Sequence, residues 1–325
     1  NKSTLALTNL AKKTKSPVSL TLIALALVGC ANTPKTKNEV AREPEVADKT
    51  ITGSISAGAI LAGNDLKVSA YKADGTFLGA DKVNNNGDYS IAYADYSALV
   101  VLRVAATDAS PDYLDESTGD EKNLTTDFRV VVDASEMHTT ANINPITEIA
   151  TRLLFDDNGG ENGRSSTTLP EATTYEQVAA ANAIVTKAFG LSDGALQASK
   201  VVSINDVDYE DADAEAAQMG LAWATISGVE KNSSATTTKV IQDIANDLAD
   251  GDKSLHSNTQ ELLSQGKTSG VSEANNQFVN NDGQRITKTT EKSTALAKIE
   301  AYDGTGTLAV ADYKAAGISG VTDGT

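Results

Sequence analysis

Apolar and polar residues alternate with a period of two from residue 50 to residue 137. Leu66-Lys67-Val68-Ser69-Ala70 shows the alternation clearly, and turn dipeptides such as Asn86-Gly87 separate such runs. This pattern is typical of short antiparallel strands. Strands buried on both faces are indicated by two denser apolar runs, Leu99–Ala106 and Phe128–Val132. We predict a small antiparallel β-sandwich over residues 50–141.

The period changes to that of an α-helix at residue 142. Asn144 is the predicted N-cap of the first helix, and Pro145 takes its first position, where the missing N–H costs nothing. Apolar faces predict further helices at Tyr175–Phe189, Ala214–Ile226 and Thr237–Leu248, and weaker ones near Ser254–Leu263, Ser272–Val279 and Thr287–Ala301. Alanine-rich faces imply close helix packing, with Trp223 in the core. We therefore predict an all-α helical domain over residues 142–303 and an α+β multidomain chain.

The N-terminal residues 1–29 have the pattern of an export signal. Lys12, Lys13 and Lys15 precede an apolar run from Val18 to Val28. As a helix this run would span roughly 16 Å, about half of a bilayer's hydrocarbon core. It is too short to cross a membrane, so we interpret it as the apolar region of a signal peptide.

The apolar run ends in Leu27-Val28-Gly29-Cys30, which resembles the lipobox of bacterial lipoproteins. The resemblance implies cleavage between Gly29 and Cys30, diacylglycerol on the Cys30 thiol, and acylation of the new amine. Each buried methylene contributes about 0.8 kcal/mol, so two or three acyl chains anchor a protein stably. Ala31, where inner-membrane retention uses Asp, favours the outer membrane. Residues 30–49 are polar and predict a flexible tether after the lipidated cysteine.

Net charge, aromatic content and cysteine count exclude some kinds of partner and site. The chain carries 44 acidic and 27 basic residues, a formal net charge of −17. This charge repels nucleic acid, which we exclude as a direct partner. Aromatic residues are 5 % of the chain with one Trp, unlike a surface built to hold sugars. The single cysteine rules out an internal disulfide and a cysteine metal cage.

Two resemblances extend beyond the lipobox. The first is to the carboxypeptidase regulatory-like domain, a noncatalytic transthyretin-like sandwich related in shape to immunoglobulin domains. It covers about residues 51–106 and depends on Gly58-Ala59, Val68-Ser69-Ala70-Tyr71, Asp74-Gly75-Thr76 and Asn86–Ile91. The second is to a helical module of large bacterial surface adhesins, in Asn144–Ala150, Gly220–Gly228 and Asp247–Gly251. Both imply spacer or contact architecture.

Three polar segments raise the question of a metal site. Asn84–Asp88 suits a hairpin turn with Gly87 at positive φ better than a calcium loop. The acidic loop Asp108–Glu121 is expected to be solvated, with a metal site as the alternative. In the acidic run Asp206–Asp213, Asp211 stands where an EF-hand needs glycine, so that match fails. We predict that folding requires no metal.

Catalytic motifs are weak. Gly190-Leu191-Ser192-Asp193-Gly194 matches a nucleophile elbow, but a predicted helix precedes Ser192 where the elbow needs a strand. Gly266-Lys267-Thr268 resembles the end of a phosphate-binding loop, but Glu261 replaces its first glycine, so we expect a polar turn. Neither His138 nor His256 has metal-ligand spacing with another His or Cys. We predict no catalytic residue, no metal site, no cofactor and no enzymatic activity.

These patterns predict a membrane-anchored cell-surface lipoprotein with a structural or adhesive role. Its expected partners are the membrane, through the lipid anchor, and a protein or polysaccharide at the surface. The alternative is a polymer- or carbohydrate-binding surface lipoprotein. Within residues 304–325, Ala309–Thr322 resembles a repeat of large bacterial surface proteins. Because one such unit cannot bury its own apolar face, we expect the chain to be the N-terminal part of a larger protein.

Overall fold

The computed structural model describes residues 49–94, 96–155, 166–192, 194–198, 200–250, 252–272 and 277–287. The predicted signal peptide, the lipobox with Gly29 and Cys30, most of the tether and the predicted C-terminal repeat lie outside the described residues. The described chain combines α-helices with several antiparallel sheets, in agreement with the predicted α+β class.

Two larger sheets form the β part. In the three-stranded sheet the order is β10-β1-β5, and the strands are β1 (Lys49–Ser54), β5 (Asp88–Tyr93) and β10 (His138–Thr140). In the four-stranded antiparallel sheet the order is β4-β3-β6-β9, and the strands are β3 (Lys67–Lys72), β4 (Phe77–Lys82), β6 (Leu99–Ala105) and β9 (Phe128–Asp133). β1 runs antiparallel to β5 and parallel to β10.

Shorter strands complete the β structure. A small sheet has the order β2-β7-β8, with β2 (Ala59–Ile60), β7 (Tyr113–Leu114) and β8 (Glu121–Lys122). A hairpin joins β11 (Gln277–Val279) to β12 (Arg285–Thr287).

Strand β6 has an almost continuous apolar sequence because both of its faces are buried. One of its faces packs Val100, Leu102 and Val104 into the main core together with Ile51 and Ile91 of the other large sheet. Its other face places Leu99 and Val101 in a second cluster with Val178. The prediction of strands buried on both faces is confirmed for β6.

The helices are α1 (Pro145–Arg152), α2 (Tyr175–Ala188), α3 (Ala195–Ala198), α4 (Ala214–Ser233), α5 (Thr237–Ala249) and α6 (Ser257–Ser272). The predicted start of α1 is confirmed, because the Asn144 side chain accepts hydrogen bonds from the backbone N–H groups of Ile146 and Thr147, and Pro145 opens the helix. Gly190, with φ of 62°, follows α2 as its predicted stop.

Sheets and helices share one hydrophobic core. Trp223 of α4 is 1 % exposed, and its ring meets that of Phe128 in β9 edge to face, with centroids 6.3 Å apart. Trp223 is thus a core residue, as predicted. The same core continues to Leu263 in α6. Division of the chain into separate sandwich and helical domains at residue 141 stays a prediction.

The contact between α4 and α6 depends on glycine. A Cβ atom on Gly228 would lie 1.8 Å from the Gly266 carbonyl oxygen, and one on Gly270 would lie 2.1 Å from that of Ala224. The two helix backbones therefore touch where side chains would normally separate them. Gly266-Lys267-Thr268 was predicted as a turn; this is wrong, since the segment lies within α6, where Gly266 permits the close approach.

A second local prediction also fails. The helix expected near Ser272–Val279 is contradicted at Gln277–Val279, which forms β11. Its pairing with β12 depends on a tight turn closed by Gly283 at φ of 74°. Tertiary pairing outweighs the weak helical pattern there. The helix expected at Thr287–Ala301 lies outside the described residues, apart from Thr287 at the end of β12.

Candidate functional site

A groove of about 540 Å³, which we call the edge groove, lies between β9, β10 and α2. Leu99, Val131 and Val178 supply apolar walls, and Tyr175 and Asn182 of α2 supply polar groups. A cavity of this size with apolar walls and a few polar groups is typical of a ligand-binding site.

The edge groove exists because two sheets end side by side. β9 and β10 are edge strands of their respective sheets, so each has backbone groups that no strand pairs. Ala134 N–H donates to the Ala98 carbonyl, whereas Arg129 N–H donates to Glu148 on the opposite side. Strand alternation therefore points the N–H and C=O groups of Val131 away from β6, along the same edge as those of Arg129.

Polar groups in the edge groove are suited to hydrogen bonding with a ligand. Tyr175 is 44 % exposed, and desolvation together with the charge of Asp133 raises the pKa of its hydroxyl. The hydroxyl of Thr139 is buried and has no hydrogen-bond partner among the described residues. No Ser, Cys or His is among the described residues that line the groove. A Tyr, an Asn and several Thr can recognise a polar ligand without activating a nucleophile.

The acidic loop is a second candidate, and its expected solvation is wrong for three of its carboxylates. Asp112, Asp115 and Glu116 are at most 1 % exposed. β7 and β8 hold the loop against α4, where Ser227 donates from its hydroxyl to Asp115 over 3.0 Å. Lys122 lies 2.8 Å from the same carboxylate. We call Asp112, Asp115, Glu116 and the nearby Glu230 of α4 the acidic cluster.

The charges of the acidic cluster are incompletely matched. Burial favours the neutral form of Asp115, but Lys122 and neighbouring hydroxyls hold the pKa of this carboxyl below its ordinary value. Burial, and then the charge of Asp115, raise the pKa of Glu116 well above its ordinary value. Burial also raises the pKa of Glu230 to about 7. Ser203 donates to one oxygen of Glu116, while the other has no partner among the described residues.

Two segments considered separately as metal loops meet in a polar pocket of about 110 Å³. Asn84–Asp88 forms the predicted hairpin turn, with Gly87 at φ of 81°. Asp206 and Asp208 line the opposite side of the pocket, and burial raises the pKa of Asp206 to about 6. Lys200 lies between the two segments, 3.3 Å from Asp88. The pocket holds a few water molecules' volume at about 30 Å³ each.

The remaining motif residues are not gathered into a catalytic arrangement. Ser192 follows helix α2, whereas a nucleophile elbow needs a strand before its serine. The Ser192 hydroxyl donates to Glu215. His138 lies on the edge strand β10, and His256 lies directly before α6. Trp223 is buried and offers no ring for stacking.

Sequence reasoning missed a buried ion cluster formed by Arg129, Glu148 and Arg152. Arg129 donates to Glu148 from its side chain at 2.7 and 3.0 Å, and Arg152 donates to Glu148 at 2.8 Å. All three are at most 1 % exposed. A charged residue inside the apolar run Phe128–Val132, together with the i,i+4 pair in α1, was the available signal.

Comparisons of the chain with protein-family models, with curated proteins and with solved structures give no match. A search of the described helices for one long and apolar enough to cross a membrane also finds none.

Proposed function

We propose that the protein is a membrane-anchored cell-surface lipoprotein with a structural or adhesive role, held in the outer membrane by acyl chains on Cys30. One observation carries the proposal: Leu27-Val28-Gly29-Cys30 follows a basic and then apolar segment, and only eighteen residues separate Cys30 from β1. At about 3.4 Å per residue these would hold the folded body within roughly 60 Å of the membrane.

Two features of the folded body support the proposed structural role. The Arg129–Glu148–Arg152 cluster ties β9 to α1, and close backbone contact ties α4 to α6. The edge groove, lined in part by residues of the edge strands β9 and β10, supplies a recessed surface for contact with a partner. A protein or polysaccharide at the cell surface is the proposed partner.

Binding of a polymer is a second candidate, favoured by the edge groove itself. Tyr175 lies exposed at the groove, and residues of the edge strand β9 line it. An extended polysaccharide or peptide would match such a surface. Against a sugar platform, Trp223 and four tyrosines (Tyr89, Tyr93, Tyr113 and Tyr209) are buried.

Lipid anchoring is tested by labelling cells that express the chain with a palmitate analogue. Wild type should carry the label in the membrane fraction, and Cys30→Ser should lose it because the acylated thiol is gone. The matched control is Ser54→Ala in the folded body, which leaves the lipobox intact. Label retained on Cys30→Ser would contradict the anchor.

Adhesion or polymer binding is tested separately by capture of surface-labelled cell extracts and of purified polysaccharides. Tyr175→Ala should weaken any capture that uses the edge groove. Phe77→Ala, which removes another exposed aromatic ring, on β4, is the control. Equal capture by wild type and Tyr175→Ala would place the contact elsewhere.

A further inference from the structure

We propose that Asp247, Asp250 and His256 form a binding site for a divalent transition metal ion such as Zn²⁺. Asp247 lies in the last turns of α5, Asp250 caps its C-terminal end, and His256 precedes α6. One ligand atom from each residue lies within 4.8 Å of the other two. A metal ion about 2.0–2.2 Å from each ligand atom requires those atoms to lie within about 4.4 Å of one another, so side-chain movements of a few tenths of an ångström would bring them into range.

The three side chains are held in place by their surroundings. Asp247 Oδ2 accepts the backbone N–H of His256 at 2.8 Å, which fixes the carboxylate beside the imidazole. Asp250 Oδ1 accepts the backbone N–H of Asp252 at 3.2 Å. Leu255, 1 % exposed, anchors the connection between α5 and α6 in the core. Ligands that are already oriented lose little freedom when an ion binds.

His256 lies between the two carboxylates, with one ring nitrogen facing each of them. Its Nδ1 lies 2.6 Å from Asp247 Oδ1, and its Nε2 lies 2.8 Å from Asp250 Oδ2. A neutral imidazole carries only one N–H, so one of these contacts would bring two acceptors together. Either a second proton or a metal ion removes that conflict. A metal ion bound to one ring nitrogen and to both carboxylates would take the place of these two contacts.

The ligand chemistry selects the type of ion. An imidazole nitrogen with two carboxylates suits zinc, nickel or copper, whereas calcium and magnesium prefer oxygen ligands alone. His256 and Asp250 are 37 % and 35 % exposed in their side chains, and Asp247 is 8 % exposed. The ion would therefore join the end of α5 to the start of α6 and keep coordination positions open to solvent. This site goes beyond the proposed function and needs no lipid anchor.

Titration calorimetry of the purified full chain with Zn²⁺ tests the site. All samples carry Cys30→Ser, so that the thiol cannot bind zinc. We expect about one equivalent of Zn²⁺ to bind, and binding to weaken at least about tenfold in His256→Gln and in Asp250→Asn. His138→Gln removes the other histidine and should bind as the parent does. Circular dichroism without metal establishes whether each variant is folded. If His256→Gln does not fold, Asp250→Asn still tests the site, because the Asp250 side chain is partly exposed.

The outcomes separate the metal from the proton. Imidazole NMR signals of His256 that shift on addition of Zn²⁺, with no shift on addition of Ca²⁺, would support the site. The proposal is overturned if the parent gives no saturable Zn²⁺ binding, since the contacts of His256 would then reflect a proton alone. Zinc binding that survives His256→Gln and Asp250→Asn in folded protein would overturn it equally.

Discussion

Two buried groups of charges in this protein are built in opposite ways. In the cluster of Arg129, Glu148 and Arg152, two guanidinium groups face one carboxylate, and the hydrogen bonds are short and aligned. In the acidic cluster Lys122 pairs with Asp115, and burial raises the pKa of the other three carboxyl groups, those of Asp112, Glu116 and Glu230. A buried charge paired with an opposite charge holds two elements of the fold together, and removal of one partner destabilises the protein. A buried carboxyl group with a raised pKa instead makes the free energy of unfolding depend on pH.

The largest effect should come from breaking the paired cluster. Arg129→Met keeps the volume of the side chain but leaves Glu148, which is fully buried, with Arg152 as its remaining cation. We expect the free energy of unfolding to fall by about 3–5 kcal/mol, the usual cost of removing one partner of a buried ion pair. Urea unfolding monitored by circular dichroism measures the change.

The control for this prediction is Arg103→Met. Arg103 pairs with Asp127 at 2.6 Å, but both side chains are partly exposed, at 30 % and 21 %. Loss of such a pair should cost about 1 kcal/mol or less. Equal destabilisation by the two variants would show that burial does not distinguish them.

A smaller effect of opposite sign is expected in the acidic cluster. Because the pKa of Glu230 is raised to about 7 in the folded chain, its contribution to stability is fully present below the ordinary pKa near 4.5. That contribution is lost as the pH rises through 7, where the folded chain must also ionise the group. Glu230→Gln stays neutral, so it should stabilise the protein at pH 8 by on the order of 1–3 kcal/mol.

The comparison of unfolding free energies at pH 4 and pH 8 checks this sign. The gain from Glu230→Gln should shrink toward pH 4, where Glu230 of the wild type is also protonated. Glu261→Gln, an exposed change on α6, should alter neither value. A destabilised Glu230→Gln at pH 8 would mean that the ionised carboxylate has a stabilising partner.

The smallest expected effect concerns calcium. Thermal melts of the protein with calcium and with a chelator should superimpose, because the sequence predicts folding without metal. A rise in melting temperature of roughly ten degrees, on the order of 1–3 kcal/mol, would contradict this. Suspicion would fall on the acidic cluster first, because Glu116 has an oxygen without a partner among the described residues, and then on Asp206 and Asp208.

Local signals in the sequence predicted local structure well. The alternation Leu66–Ala70 became β3, Asn144 capped α1 through its own side chain, and Gly87 took the positive φ that its turn needs. Each of these outcomes depends on residues at most a few positions apart. The lipobox is a signal of the same kind, and the anchoring of Cys30 stays a prediction.

Such local signals could not predict which charged side chains are buried. Asp115 reads as part of a polar loop, yet it meets Ser227, 112 positions away, and Arg129 meets Glu148 only because β9 packs on α1. The polar turn expected at Gly266 became helix because α4 comes within backbone contact of it. The edge groove likewise needs two sheets and a helix to meet.

What the sequence by itself determined is therefore the α+β class, most element positions, the N-cap of α1 and the core position of Trp223. The tertiary structure alone decided which carboxylates are buried, which cations reach them, and that His256 lies between Asp247 and Asp250. The physical reason is the distance along the sequence over which each effect acts. Capping, turn geometry and hydrophobic period act over a few residues, whereas desolvation and charge pairing depend on neighbours that only the folded chain brings together.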